Sequence, residues 1–231
     1  MPADNILLLP GMMCDERLWS DQIAAMPVPA QVADLSRSNT IESIAAEAIA
    51  AAPDRFAVAG LSMGGIVAFE IWRQAPEKVT HLALLDTNPH PDSPDKKAMR
   101  FEQIAAAASG KLEQLAIESL KPLYLAENNR DDKEILHTIL DMALSLGPEV
   151  FQRQSLAVMN RPDSVPTLAT ITCPTSIICG REDTICPPSF HKLMAKEITD
   201  ARLVMIDDCG HMSSMEQPEI VTAELLRLFA K

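Results

Sequence analysis

The sequence predicts an α/β fold: a mostly parallel, six-stranded sheet with helices on both faces and a helical lid inserted between two strands. Three observations carry that expectation. Short runs rich in Val, Ile and Leu recur along the chain, and most of them end in Gly, Pro or Asp. Between them lie longer stretches with apolar residues at helical spacing. The alternation lapses once, from 91 to 172, where only helical patterns occur.

The predicted strands are residues 5–9, 31–35, 55–59, 81–85, 175–179 and 202–206. Continuous apolar runs of this length suit parallel strands buried on both faces. The predicted helices between them are 16–26, 41–52, 64–74, 188–198 and 216–230. Strand–helix alternation makes right-handed crossovers the default. Within the insertion, helical patterns cover 95–108, 111–120, 131–146 and 149–159. These are amphipathic and rich in Leu, Ile and Met, so they are expected to pack as a lid over the sheet's C-terminal edge. The domain reading is therefore a core of 1–90 and 173–231 with a lid of 91–172.

Composition narrows the function classes. The chain has 231 residues, enough for one sizeable core. Its net charge of −12, with no Lys/Arg run, argues against nucleic acid or an anionic membrane surface as a partner. No stretch reaches the roughly 20 apolar residues of a membrane span, and no basic leader precedes the first strand. The five cysteines are odd in number and lack C-x-x-C spacing, which fits reduced thiols in the cytoplasm. No dinucleotide, P-loop or H-E-x-x-H motif occurs, so neither cofactor nor metal is expected.

The segment Gly60-Leu61-Ser62-Met63-Gly64-Gly65 follows the third strand and opens a helix. G-x-S-x-G in that setting is a nucleophile elbow. The serine sits on a strained strand-to-helix turn, where a side chain two positions to either side would meet backbone. The helix behind Ser62 directs its positive dipole toward developing negative charge.

A hydroxyl nucleophile needs a base, and the base needs an orienting carboxylate. Of the five histidines, His211 follows the last strand in Gly210-His211-Met212, at the sheet edge where α/β sites form. His81, His137 and His191 fall within predicted elements and are expected to be structural or exposed. Asp183, in Gly180-Arg181-Glu182-Asp183, follows the fifth strand. The order Ser62, Asp183, His211 selects it over its rivals Glu182 and Asp86. Two backbone N–H groups should face the developing oxyanion. Met63, next to the nucleophile, and Met12, after Pro10-Gly11 on the first strand's loop, are the candidates. Met13, His90 and Met212 are expected to line the substrate pocket. The twelve methionines suggest a partly adaptable apolar wall.

These motifs resemble the α/β-hydrolase superfamily, and among its members the small lid-bearing serine esterases. Leu7-Leu8-Leu9-Pro10-Gly11 with Trp19 looks like the oxyanion-loop segment, residues 60–65 look like the elbow, and Gly180 to Asp183 with Gly210-His211 look like the acid and base segments. Pro10 stands where the family usually has His, and the family's opening antiparallel hairpin is missing. The resemblance implies a carboxylesterase acting on a small-molecule ester through an acyl-enzyme on Ser62, as monomer or homodimer. The same machinery would serve a thioesterase, a lactonase or a carbon–carbon hydrolase. A non-catalytic ligand-binding homologue would show a broken triad.

Overall fold

The computed structural model describes residues 2–120 and 123–230. Residues 121 and 122 of the expected insertion lie outside the described residues. The six strands are β1 (Ile6–Leu9), β2 (Ala30–Val32), β3 (Phe56–Leu61), β4 (Val79–Leu85), β5 (Thr175–Gly180) and β6 (Arg202–Ile206). They form one sheet in the order β2-β1-β3-β4-β5-β6, and every pairing is parallel. All six therefore end at one edge. The chain reverses its direction of travel across the sheet between β1 and β3, which opens a crevice at that point.

The helices are α1 (Ser20–Ala25), α2 (Ile41–Ala51), α3 (Met63–Gln74), α4 (Pro94–Ala106), α5 (Leu112–Leu115), α6 (Lys133–Met159), α7 (Val165–Leu168), α8 (Pro188–Glu197), α9 (Ser213–Glu216) and α10 (Pro218–Phe229). The pleat sorts strand side chains between two cores. Leu7, Leu9, Val58, Leu82 and Leu84 face α2, α3 and α8. Ile6, Leu8, Ala57, Ala59, Ala83 and Leu85 face Trp19 and α10. Both faces are covered, which is why the runs read as continuously apolar.

Several element boundaries differ from expectation, each for a local reason. β2 spans Ala30–Val32 rather than 31–35. The Asp34 carboxylate accepts from the Ser36 N–H (3.0 Å) and turns the chain, so Leu35 enters the core from a loop. The stretch 16–26 is not one helix, because Trp19 leaves helical geometry between a 3₁₀ turn (Glu16–Trp19) and α1. The stretch 216–230 divides at Gln217, whose φ of −136° and ψ of 59° separate α9 from α10, with Pro218 as the first residue of the new helix. Gly110, with φ 84°, falls in the break expected between 95–108 and 111–120. Gly147 (φ 80°, ψ 175°) followed by Pro148 divides α6 into the two helices expected at 131–146 and 149–159.

The helices between β4 and β5 rest on the loop after β1. Met13 packs with Ala107, Leu112, Ala143, Val150 and Phe151. Its N–H donates to Gln154 Oε1 (2.8 Å), and Gln154 Nε2 donates to the Leu35 carbonyl (3.2 Å). The end of this segment returns to α3, where Trp72 Nε1 donates to Thr170 Oγ1 (3.0 Å) and Arg73 Nη1 to Thr167 Oγ1 (2.9 Å).

Candidate active site

Ser62 joins β3 to α3 with φ 55° and ψ −114°, a conformation L-residues rarely adopt. Its neighbours hold it there. A Cβ on Gly60 would fall on the Gly64 carbonyl, and one on Gly64 would fall on the Leu9 carbonyl. The Ser62 carbonyl accepts from Thr87 Oγ1 (2.7 Å), and Thr87 packs so close to Gly65 that no side chain fits between them. The elbow is thus clamped between β1 and the end of β4.

The three polar residues selected by order meet in one line. Ser62 Oγ lies 2.9 Å from His211 Nε2, and His211 Nδ1 lies 2.8 Å from Asp183 Oδ2. The Ser62 side chain remains partly exposed, whereas His211 and Asp183 are buried. Asp183 Oδ1 accepts the N–H groups of Ile185 (2.9 Å) and Cys186 (2.8 Å), so the loop's own backbone orients the carboxylate. Burial opposes an imidazolium at His211, but the Asp183 carboxylate outweighs it and raises the pKa. Of the rivals, Glu182 accepts from the Glu127 N–H (2.9 Å) away from this line.

Asp86 is fully buried beside the line, at φ 44°. Its Oδ1 accepts from the Gly180 N–H (3.0 Å) and its Oδ2 from the Ser213 N–H (3.2 Å). It therefore ties the Asp183 loop to the His211 loop. Burial, and then the neighbouring Asp183 charge, push its pKa up to about 7. Glu216 makes a second tie: Oε1 accepts from the Gly210 (2.9 Å) and Met212 (3.2 Å) N–H groups, and Oε2 from the Ala126 N–H (2.8 Å). Tyr124 covers the base: its carbonyl accepts from the His211 N–H (2.7 Å) and its ring stacks on the imidazole at 6.0 Å. A Cβ on Gly180 would fall on the Gly210 carbonyl, and one on Gly210 would meet the backbone of Tyr124 to Ala126. Sequence reasoning weighed Asp86 only as a rival acid and missed Glu216 and Tyr124. The glycines at 180 and 210 were the one visible sign of this crowding.

On the other side of Ser62, a Cβ on Gly11 would sit 3.6 Å from the Ser62 Cβ, so the β1 loop lies against the nucleophile. The Met63 N–H opens α3 and has no helical acceptor. The Met12 N–H has no acceptor among the described residues. Of the expected pocket residues, Met13 (φ 58°) and Met212 are buried in apolar clusters. The His90 ring packs edge-on against Phe190 at 5.1 Å.

Two trios of buried side chains place potential metal-binding atoms near one another, Asp86–Cys179–His191 and Asp183–Cys186–His211. Their imidazole and carboxylate atoms are already engaged. His191 Nε2 accepts from the Thr87 N–H (3.0 Å) and Nδ1 faces the Pro187 carbonyl, and burial lowers its pKa to about 4. Both Asp86 oxygens and both Asp183 oxygens accept hydrogen bonds. A hydroxyl, an imidazole and a carboxylate in line suit proton transfer from the hydroxyl.

The chain is 30% identical to a thermophilic esterase from Thermogutta terrifontis, covering 98% of this chain and 90% of that one with a TM-score of 0.89. It is 26% identical over 239 residues to the pimeloyl-[acyl-carrier protein] methyl ester esterase of Aromatoleum aromaticum, covering 95% of each. An enol-lactonase from Burkholderia xenovorans LB400 shares the fold at 21% identity, with a TM-score of 0.89 over all of this chain and 93% of that one. The alpha/beta hydrolase family matches residues 6–224, and this chain belongs to that family.

Proposed function

We propose that this ester hydrolase works through an acyl-enzyme formed on Ser62. The observation that carries the reading is the hydrogen-bonded line Ser62–His211–Asp183, with the serine held at a positive φ where a strand meets a helix. Ser62 Oγ adds to the ester carbonyl while His211 Nε2 takes its proton. The Met12 and Met63 N–H groups stabilise the oxyanion. The intermediate collapses, and the departing alkoxide takes the proton from His211. Water then adds to the acyl-enzyme with His211 again as base, and the carboxylic acid leaves. Asp183 fixes the imidazole with Nδ1 protonated, so that Nε2 faces Ser62. Each turn of the cycle consumes one ester and one water and releases one alcohol and one carboxylic acid.

The segment 91–172 acts as the lid. What supports this is its seat on the oxyanion loop, through Met13 and the bond from the Asp15 N–H to Met142 Sδ (3.5 Å). Tyr124, stacked on His211, brings the same segment over the base. Relatives named for methyl ester hydrolysis add to the case for a carboxylic ester. The substrate is a small-molecule ester.

The test is hydrolysis of p-nitrophenyl esters from acetate to dodecanoate by wild type and Ser62→Ala. Turnover that depends on Ser62, with an optimum in chain length, is expected. Wild-type rates in Ser62→Ala would refute the mechanism. Fluorophosphonate labelling of Ser62 without turnover of any ester would keep the nucleophile and move the substrate to a thioester, a lactone or a carbon–carbon bond.

A further inference from the structure

A second buried charge cluster joins the insertion to the loop after β4. Asp92, with its side chain 1% exposed, accepts from Arg161 Nη1 (2.8 Å) and Arg100 Nε (2.5 Å). Arg161 directs further bonds to the carbonyls of His90 (2.9 Å) and Val158 (2.7 Å). Arg100 does not. It projects from α4 with its side chain 18% exposed, and beyond Asp92 its recorded contact is from Nη1 to Met12 Sδ at 3.9 Å, a weak acceptor. Among the described residues, neither Nη atom of Arg100 meets an oxygen. Two guanidinium groups share one carboxylate, which leaves one positive charge unbalanced.

The position gives that charge its meaning. Met12 follows Gly11, which lies against Ser62. The Arg100 charge also reaches the Tyr124 phenol, whose ring stacks on His211. Arg100 therefore touches the residue that carries the expected oxyanion donor. A partly buried guanidinium with its forked edge unspent matches a carboxylate. At −12, the chain as a whole repels anions, so only a local cation could hold one here.

We propose that Arg100 binds a free carboxylate of the substrate, so that the enzyme prefers half-esters of dicarboxylic acids to uncharged esters. The proposal rests on the reading of Ser62 as the nucleophile. The bound carboxylate takes no part in bond breaking. It anchors the end of the acyl chain remote from the ester.

The experiment compares kcat/KM for the monoethyl and diethyl esters of dicarboxylic acids from succinate to suberate. It uses wild type, Arg100→Met and Arg100→Lys, and reads the ratio of half-ester to diester within each protein. The ratio should fall roughly tenfold to a hundredfold in Arg100→Met, the range for a hydrogen bond to a charged group. Arg100→Lys should fall between, since a point charge lacks the fork. Should Arg100→Met fail to fold, Arg100→Lys carries the comparison, because it can keep the ion pair with Asp92. Calorimetry of the free dicarboxylates reads the same site without turnover. Binding to wild type that weakens tenfold or more in the variants supports the proposal. Equal ratios and equal affinities in wild type and variants overturn it. Loss of all turnover together with no labelling of Ser62 would sink the hydrolase reading instead, and calorimetry would still decide for Arg100.

Discussion

Asp183→Asn separates charge and tautomer from shape. Asp183 Oδ1 accepts two backbone N–H groups, from Ile185 (2.9 Å) and Cys186 (2.8 Å). An asparagine must therefore place its carbonyl oxygen there, because the reverse orientation sets an NH₂ group against two donors. The NH₂ then faces His211 Nδ1, which lies 2.8 Å from the present Oδ2. That nitrogen becomes an acceptor and the ring proton moves to Nε2, which faces Ser62 Oγ at 2.9 Å. The base then has no lone pair for the serine proton. The expected loss in kcat is about 10⁴-fold, or about 5 kcal/mol of barrier. The fold should survive, since the hydrogen-bond geometry is retained. The assay is burst-phase p-nitrophenyl ester hydrolysis at pH 7 to 9, normalised to folded protein by thermal melting. Activity within tenfold of wild type in a folded Asp183→Asn would refute the assigned role.

Further outcomes are expected. Ser62→Gly should abolish turnover and raise stability by about 1 kcal/mol net, because glycine relieves the positive φ at some cost in unfolded-state entropy; a lower melting temperature would contradict this. Gly64→Ala should lower stability by about 3 kcal/mol, visible in a urea titration, because the new Cβ meets the Leu9 carbonyl and lies 2.9 Å from the Leu9 Cβ; a change under about 0.5 kcal/mol would show that β1 and α3 are less tightly opposed. The raised His211 pKa should place the acid limb of kcat/KM above the ordinary imidazole value, since only the neutral ring accepts the serine proton. Asp86→Asn removes a nearby negative charge and should move that limb to lower pH. The Asp86 pKa is raised on folding, so its contribution to stability is present below pH 3.8 and lost as pH rises through about 7. Wild type should thus lose stability relative to Asp86→Asn across that window, and parallel stability curves would count against the assignment.

The sequence by itself determined the strand–helix order, the single insertion and the places of Ser62, Asp183 and His211. Each depends on local chemistry. Buried parallel strands read as apolar runs, and the elbow needs glycines at 60 and 64. Loops after parallel strands share one sheet edge whatever the strand order. The break at Gly147-Pro148 was legible for the same reason, since a positive φ followed by proline ends a helix wherever it occurs. Where the chain pairs or turns was less legible. The short β2 ends because Asp34 hydrogen-bonds to Ser36, a competition that apolar patterning does not register.

Only the tertiary structure decided what surrounds the line of three. Asp86 ties the Asp183 loop to the His211 loop and reaches Ser213 across 127 residues of chain, and Glu216 joins the His211 loop to the insertion. Arg100 reaches Met12 across 88 residues of chain. An acidic or basic side chain on a surface loop or helix looks the same in sequence whether it meets water or a buried partner. The difference is desolvation and the donors within reach, and both are set by which segments the fold brings together.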